Sequence, residues 1–512
     1  MVNKSSIEIN KSLKLIAISS LIVLLGVFFS KIFTYLYRIL IARSFGPEDY
    51  GLFSLATMIL ILLVAVSSLG LPEGLVRYVA FYRGKKNLQM VKTMIKESFY
   101  LITLTSLFTA GLLIILTPWI SMEIFHTPDL MPYLYISAAI IPLLSLANLY
   151  LSVLRAFEKI ASFSFIHNFL QNFIKIAALF IFIMWGIKEY SIMASYFISI
   201  LVMFFVAFLT VKISIFRKIK IGFKPKLKSS KKSLYKILSY SWPLSLLSVA
   251  SFILYWVDSF TIGYFRNPVE VGLYNVAVPL AALVMIVPDL IIQLFFPLVT
   301  KEYSKNNYSL IKELSKQATK WVFMINVPLT LIIVLFPGAI INFFFGSTYL
   351  GAEHSLQLLA IGSLFGSLSI IPANLISMMG KSKIMLLNIV SMMVFNITLN
   401  ILLVPSYGMV GAAFATMLVF ISITIIYFIQ CNHYLSFIPL RRKMLWISLL
   451  SLIPLSLVLF LKNFLTITPI ILIILGIIFI TIYSLTIYIF RCLDKHDFFI
   501  ISIFLKKFKS SN

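Results

Sequence analysis

Residues 190–211, YSIMASYFISILVMFFVAFLTV, carry no charged side chain and are apolar along nearly their whole length. About 20 such residues form a helix long enough to cross ~30 Å of hydrocarbon. Similar runs recur along the chain, and they do not alternate in polarity over about ten residues as membrane β-strands do. The sequence therefore predicts an all-α polytopic membrane protein with about 14 transmembrane helices.

Composition leads to the same class of protein. Of 512 residues, 61% are hydrophobic and 12% are charged, whereas a soluble protein has roughly 25% charged residues. Such a chain has too few polar groups to cover a surface in water, so lipid must surround most of it. The predicted spans are residues 15–41, 51–71, 93–117, 133–154, 161–185, 190–211, 238–263, 273–295, 318–336, 355–378, 384–404, 409–430, 444–461 and 467–490.

The placement of positive charge predicts the orientation of these spans. The net charge is +26, and basic residues concentrate in the cytoplasmic loops of membrane proteins. Loops after the odd-numbered spans hold only Arg43, Lys188, Arg266 and Lys462, whereas the other loops and both termini hold most of the rest. We therefore predict a multi-pass protein of the cytoplasmic (plasma) membrane with both termini in the cytoplasm, and no binding of nucleic acid.

A short motif occurs twice in the chain. Residues 47–56 read PEDYGLFSLA and residues 268–277 read PVEVGLYNVA, which share P-x-[DE]-x-G-L-aromatic-x-[LV]-A. Proline and glycine favour turns, so a hairpin between spans is one explanation of the pattern. The two copies fall where two six-helix halves would begin, and an even number of spans per half predicts parallel repeats.

The repeat predicts two pseudo-symmetric six-helix lobes followed by a C-terminal helix pair. The expected divisions are an N-terminal lobe at 1–216, a basic cytoplasmic linker at 217–236, a second lobe at 237–431, and helices 13 and 14 with a cytoplasmic tail at 432–512. Cys431 and Cys492 are too few and too far apart to indicate a disulfide framework or a metal site.

Three motifs resemble those of a known transporter family. They are FSKIFTYLYRILIARSFGPEDYGL at 29–52, FGSTY at 345–349 and PSYGMVGAA at 405–413. In order and spacing they resemble the polysaccharide-transporter branch of the multidrug/oligosaccharidyl-lipid/polysaccharide exporter superfamily. The resemblance covers nearly the whole chain. It is closer to the stage V sporulation protein B and O-antigen flippase groups than to the lipid II flippases, which have an Arg-Asp pair where this chain has Tyr37-Arg38.

This resemblance implies a V-shaped pair of six-helix lobes and a flippase for polyprenyl-(pyro)phosphate-linked oligosaccharide, working by alternating access. The partners it implies are the lipid-linked oligosaccharide and membrane lipid, with glycosyltransferases or a polymerase of the same pathway as further candidates. It also implies a groove for the lipid tail at helices 13 and 14.

Polar side chains line several spans at helical spacing. Ionisable groups inside a span cost about 2.5–3.5 kcal/mol on insertion scales and by default face a cavity. The stripes are Lys31, Thr34, Tyr35 and Arg38 in span 1; Asn168, Gln171, Asn172 and Lys175 in span 5; Ser248, Ser251, Tyr255 and Asp258 in span 7; and Asn388, Ser391, Asn396 and Asn400 in span 11. The predicted substrate-binding residues are Lys31, Arg38, Arg77, Asn168, Asn172 and Lys175.

A chamber with four cations and one carboxylate suits an anionic ligand, and pyrophosphate is a natural partner of Arg and Lys. Structural alternatives remain open: Lys31 and Arg38 snorkel to opposite interfaces, Arg77 begins the cytoplasmic end of its helix, and Asp258 is an interfacial carboxylate. The amides of span 11 alternatively make hydrogen bonds between helices.

Two other functions are alternatives to a flippase. A cation-coupled multidrug antiporter of the same superfamily usually has an acidic cavity and twelve spans. An integral membrane glycosyltransferase or polymerase places carboxylates or histidines in large outer loops, and here such residues are isolated (Glu123, His126, Asp129, Glu353 and His354). We expect no catalytic residue, metal or cofactor, and therefore a transporter rather than an enzyme.

The repeat also pairs two charges. Aligning Phe45 with Phe265 places Arg38 opposite Asp258. We hypothesise that the two side chains form a gate latch that couples ligand binding or protonation to opening.

Overall fold

The computed structural model describes residues 26–188, 190–217, 231–465 and 468–494. Within this part the chain forms α-helices joined by turns, and twelve helices are long and apolar enough to cross a membrane. Two compact units divide the chain, Met1–Gly272 (unit 1) and Leu273–Asn512 (unit 2). The first lysines, the start of predicted span 1 and most of the linker 217–236 lie outside the described residues.

The predicted count of fourteen spans stays a prediction. One of the twelve long helices, Ser382–Leu435, has 54 residues and is broken at Gly408, whose φ of 56° and ψ of −140° are not helical. This glycine lies in the PSYGMVGAA motif, and it separates predicted spans 11 and 12. The predicted boundary between the two six-helix lobes, at the linker 217–236, likewise stays a prediction.

Unit 1 is built around α5. This helix packs against α2, α3, α4 and α7. Small buried residues let the helices approach closely and hydrogen-bond: the Ser67 and Ser145 hydroxyls are 3.1 Å apart, and Thr105 donates to the Ser67 carbonyl at 2.7 Å. The helices of unit 1 are α1 (26–45), α2 (Pro47–Ser68), α3 (Leu71–Gly84), α4 (Leu88–Ile124), α5 (Leu130–Ala156), α6 (Ile160–Met184), α7 (Ser191–Phe216), α8 (Lys231–Phe265) and the first turn of α9 (Pro268–Ser304).

Helix α3 differs from the sequence prediction, which placed a cytoplasmic loop after residue 71. The structure ends α2 at Ser68, turns the chain through Leu69 and Gly70 in left-handed conformations, and begins a separate 14-residue helix. Arg155 at the end of α5 pairs with Glu73 of α3 at 2.8 Å, and Arg83 of α3 donates to the Ala156 carbonyl at 2.6 Å. These contacts hold α3 against the end of α5.

The repeated motif forms a helix crossing. A Cβ added to Gly51 would overlap the carbonyl of Pro268, and one added to Gly272 would overlap the carbonyl of Pro47. Both glycines lie inside helices, so their explanation as hairpin turn residues was wrong. The contacts are reciprocal because each copy of the motif supplies one glycine and one proline carbonyl.

Unit 2 is built around α12, which packs against α9, α10 and α13. Helices α5 and α12 are each the fourth span of a predicted six-helix half. Each unit is therefore built around the helix that holds the same place in the predicted repeat. The helices of unit 2 after α9 are α10 (Tyr308–Leu335), α11 (Pro337–Phe344), α12 (Glu353–Met378), α13 (Ser382–Leu435), α14 (Lys443–Lys462) and α15 (Pro469–Ile489).

The amides of predicted span 11 hydrogen-bond within α13. Asn388 and Gln430, on opposite sides of the break, exchange two amide hydrogen bonds of 2.9 Å. Asn396 donates to Thr416 across the same break at 3.3 Å. Because the break at Gly408 divides α13 into two helical segments, these are hydrogen bonds between helices, which was the structural alternative for the polar stripe of span 11.

Helices α14 and α15 pack against α10. Pro328 lacks an N–H, so the carbonyl of Met324 loses its helical donor, and the Tyr483 hydroxyl of α15 donates to it at 2.8 Å. Lys462 at the end of α14 donates to the Leu335 carbonyl at 2.9 Å. The C-terminal pair therefore satisfies two backbone carbonyls of α10.

An ionic cluster fixes the other end of the same contact. Asp494 accepts from Lys320 at 2.7 Å, from Arg441 at 2.7 Å and from Lys443 at 2.6 Å. Arg441 also pairs with Glu313 of α10 at 2.9 Å. Lys320 is fully buried, so the carboxylate neutralises a charge that water does not reach.

Candidate functional site

Four of the predicted substrate-binding residues lie where α1 and α6 meet in unit 1. The two helices share an aromatic contact, with ring centroids of Phe33 and Phe169 5.4 Å apart. Residues 165–170 of α6 form a π turn, a feature often found at functional sites. Asn168 lies in this turn, and Asn172 and Lys175 follow in the regular helix, all three buried.

Lys175 is the centre of a polar cluster. Its Nζ donates to the Asn172 side-chain oxygen at 3.1 Å, and the Asn172 amide donates to Ser30 of α1 at 3.1 Å. The Asn172 amide is also 3.0 Å from the Asn168 carbonyl. We call Ser30, Asn172, Lys175 and the neighbouring rings of Tyr37 and Tyr196 the Lys175 cluster.

Two tyrosine rings face the Lys175 ammonium. Nζ is 4.6 Å from the centroid of Tyr37 and 5.7 Å from that of Tyr196. The Tyr37 hydroxyl donates to the Ile192 carbonyl at 2.9 Å and is 3.1 Å from Ser195 Oγ. Since those bonds tie Tyr37 of α1 to α7, the ring is fixed beneath the cation. Such a cation–π contact contributes about 0.5–2 kcal/mol.

Lys175 forms no ion pair within the described part of the chain; its contacts there are an amide oxygen and aromatic faces. These neutral groups can stabilise an ammonium group but supply no counter-charge for it. A buried cation without a carboxylate attracts an anion more strongly than one already paired.

Arg38 lies beside this cluster on α1. Its side chain hydrogen-bonds Tyr50 of α2, and Tyr35 and Tyr255 are near enough to act on its charge. The charges of Arg38 and Lys175 also act on each other. An anion lying between the two basic side chains would relieve their mutual repulsion.

The other predicted residues lie elsewhere in unit 1. Lys31 is exposed on α1. Arg77 lies on α3, with its guanidinium carbon 4.1 Å from the centroid of Tyr240. Asp258 is buried on α8, three residues from Tyr255 and therefore one helical turn away.

Sequence reasoning missed the tyrosines that complete the site. Tyr37, Tyr50 and Tyr196 come from three helices, and each is at most partly exposed. In an apolar span a tyrosine is usually an interfacial or packing residue. The one sequence signal that could have indicated these tyrosines was the polar stripe of span 5, which needs polar or aromatic partners opposite it.

Side chains that bind metal ions do not cluster in the part of the chain that the structure describes. Among residues 26–188, 190–217, 231–465 and 468–494, no group of three or more His, Cys, Asp or Glu side chains is placed to hold an ion.

Two family models match the sequence. The model described as polysaccharide biosynthesis protein matches residues 17–302, and the MatE model matches residues 243–402. An uncharacterized membrane protein of Methanocaldococcus jannaschii is 25% identical over 401 residues, covering 77% of this chain and 79% of that protein.

Two named relatives are similar over different lengths. A putative O-antigen transporter of Shigella flexneri is 24% identical, covering 73% of this chain and 87% of its own length. A probable low-salt glycan biosynthesis flippase of Haloferax volcanii is 28% identical over 209 residues, covering 41% of this chain and 43% of its own length.

Solved structures share the fold. The inward closed conformation of the lipid II flippase MurJ superposes with a TM-score of 0.72 at 19% identity, covering 92% of this chain and 98% of that one. An inward-facing multidrug transporter of the MATE family superposes with a TM-score of 0.66 at 17% identity, covering 80% of this chain and 94% of that one. The chain therefore has the fold of this group of membrane transporters.

Proposed function

Because the chain belongs to the polysaccharide biosynthesis protein family, we propose that it is a flippase that moves polyprenyl-(pyro)phosphate-linked oligosaccharide across the membrane by alternating access. The observation that carries the proposal is the buried Lys175 beside Arg38, two cations with aromatic and amide neighbours. Pyrophosphate would lie between them, the sugar would occupy a hydrated chamber beside them, and the lipid tail would stay in the bilayer.

The descriptions of two relatives support a lipid-linked oligosaccharide as the transported molecule. One relative is described as a glycan biosynthesis flippase and another as an O-antigen transporter. The MatE match favours a cation-coupled antiporter as the second candidate. A basic site suits an anionic ligand better than a cationic drug, so we place the antiporter second and a transport role above an enzymatic one.

Neutralising the cations tests the proposal. We expect Lys31→Gln, Arg38→Gln and Lys175→Gln each to reduce export of lipid-linked glycan, by about tenfold or more for Arg38 and Lys175, because a hydrogen bond to a charged group contributes about 1.5–3 kcal/mol. The measurement is glycan transfer in reconstituted vesicles at equal protein level. Lys188→Gln, on an exposed residue, is the matched control, and normal export by all three variants would refute the cationic chamber.

The orientation is part of the proposal. The distribution of basic residues supports cytoplasmic termini and a cytoplasmic basic linker. We expect a single cysteine placed at Lys228, which lies outside the described residues, to react with a membrane-impermeant maleimide only after the membrane is opened. Labelling of intact cells would overturn both the orientation and the span count.

The gate latch concerns Arg38 and Asp258. Tyr255, one turn from Asp258 on α8, acts on the charge of Arg38, so α8 passes near that guanidinium. A 4 Å pair gains about 4 kcal/mol at an effective dielectric near 20, before desolvation, which is enough to bias a two-state transporter. Pyrophosphate on Arg38, or a proton on Asp258, would release it.

A charge exchange tests the latch. We expect Arg38→Asp and Asp258→Arg each to impair transport, and the double variant to recover part of the loss, because the pair is restored with reversed polarity. Transport by the double variant no better than by the worse single variant would remove the latch but leave the cationic site intact.

A further inference from the structure

A second pair of cations lies where α3 packs against the start of α8. Arg77 of α3 lies over the Tyr240 ring of α8, 4.1 Å from its centroid. Lys236 of α8 lies 5.5 Å from the centroid of Tyr82 of α3, and its Nζ donates to the Tyr82 hydroxyl at 3.0 Å. Each cation therefore rests on a ring supplied by the other helix.

Tyr78 connects the two positions. Its ring centroid is 5.8 Å from the Arg77 guanidinium carbon and 5.7 Å from Lys236 Nζ. The same ring packs edge-on against Tyr240 at 5.9 Å. Both charges therefore flank one aromatic ring, and the three tyrosines restrict where the cations can move.

Close backbone packing fixes the spacing of the two helices here. A Cβ on Gly70 would overlap the Ser241 carbonyl, and a Cβ on Gly74 would overlap the Ser241 hydroxyl. The four-residue separation of these glycines places both on the face of α3 that contacts α8. The cations are therefore presented by two closely packed helices.

Arg77 and Lys236 are both exposed, and in the described part of the chain neither forms an ion pair. The nearby carboxylate of Glu73 is used by Arg155. An arginine stacked on a ring keeps its N–H edge available, and a lysine with one hydrogen bond keeps two donors. The arrangement can therefore accept an anion.

The position of the cations indicates where that anion comes from. Helix α3 begins three residues after the end of the membrane-crossing α2. Phe81, Tyr235 and Trp242 are 47%, 75% and 57% exposed, as aromatic residues are at the boundary of lipid and water. Phosphate headgroups lie at that depth.

We propose that Arg77 and Lys236 form an interfacial phosphate site that holds the phosphate group of an anionic lipid in the adjoining leaflet. A phospholipid headgroup and the phosphate end of a polyprenyl carrier share this chemistry. The site does not depend on the proposed flippase activity, because a chain with another cargo would still present both cations at the same depth.

Lipid binding to the purified full chain tests the site. Phosphatidylglycerol and undecaprenyl diphosphate are titrated separately, and bound lipid is counted by native mass spectrometry. We expect the Arg77→Gln, Lys236→Gln double variant to bind at least about tenfold more weakly, since each cation supplies a charge-assisted hydrogen bond. Lys85→Gln with Lys86→Gln removes the same charge from exposed positions of the same segment and should bind normally.

The Tyr240→Leu variant keeps every charge but removes the ring beneath Arg77, and it should also weaken binding. Loss for undecaprenyl diphosphate alone assigns the site to a polyprenyl carrier, and loss for phosphatidylglycerol alone assigns it to the bilayer. Unchanged binding of both lipids by the double variant, or an equal loss in the Lys85, Lys86 control, overturns the proposal.

Discussion

The Asp494→Asn variant is expected to lower the free energy of unfolding by about 3–5 kcal/mol, the usual cost of removing one partner of a buried ion pair. Lys320 is fully buried and lies 2.7 Å from this carboxylate. Asparagine would keep a similar shape but remove the negative charge that faces the Lys320 ammonium. Thermal or denaturant unfolding in detergent measures the effect.

The matched control is Glu313→Gln, which removes the other carboxylate bound to Arg441. Because the Glu313 side chain is 60% exposed, its loss should cost at most about 1 kcal/mol. Equal stability losses for the two variants would show that burial of Lys320 does not determine the strength of the cluster.

The same carboxylate predicts a dependence on pH. Burial by itself raises the pKa of Asp494, but hydrogen bonds from Lys320 and Lys443 lower it to about 2. The pKa is therefore below the unfolded value of about 3.9. This contribution is fully present above pH ~4 and is lost as the pH falls toward 2, and the Asp494→Asn variant should lack it.

The second large effect is expected at the crossing of α2 and α9. Gly51→Ala would drive a methyl group into the Pro268 carbonyl, and the backbone atoms there cannot turn aside as a side chain would. Overpacking of this kind costs about 1–3 kcal/mol or more. We expect Gly51→Ala and Gly272→Ala to lower the unfolding temperature by similar amounts, because the contacts are reciprocal.

Gly111→Ala is the control for this pair. Gly111 also lies inside a helix, α4, but a Cβ there meets nothing within 4 Å. Alanine should stabilise that position by about 0.5–1 kcal/mol through helix propensity. A Gly51→Ala protein as stable as Gly111→Ala would mean that the two backbones separate without cost.

The sequence predicted the helices from two simple signals, apolar length and the alternation of charged loops. It also marked Gly51 and Gly272 as equivalent, although the physical reason is a close crossing rather than a turn. Helix α3 was missed because its 14 residues are too few to cross a membrane and its charges resemble those of a loop.

The candidate site was only partly predictable. The spacing of Asn168, Asn172 and Lys175 placed them on one face, and the structure buries all three. Periodicity does not say which helix lies opposite that face, so the Tyr37 and Tyr196 rings over Lys175 could not be foreseen. For the same reason Arg77 was grouped with a chamber, whereas the structure places it against Tyr240.

The hydrogen bond from Tyr483 to the Met324 carbonyl has a consequence for synthesis of the chain. Its two partners are 159 residues apart, so at about 5–20 residues per second the ribosome delivers the tyrosine roughly 10–30 s after the carbonyl. An unsatisfied carbonyl in hydrocarbon costs several kcal/mol. During that interval α10 must hold the Met324 carbonyl against protein or water, and its final packing against α15 forms only when the last helix arrives.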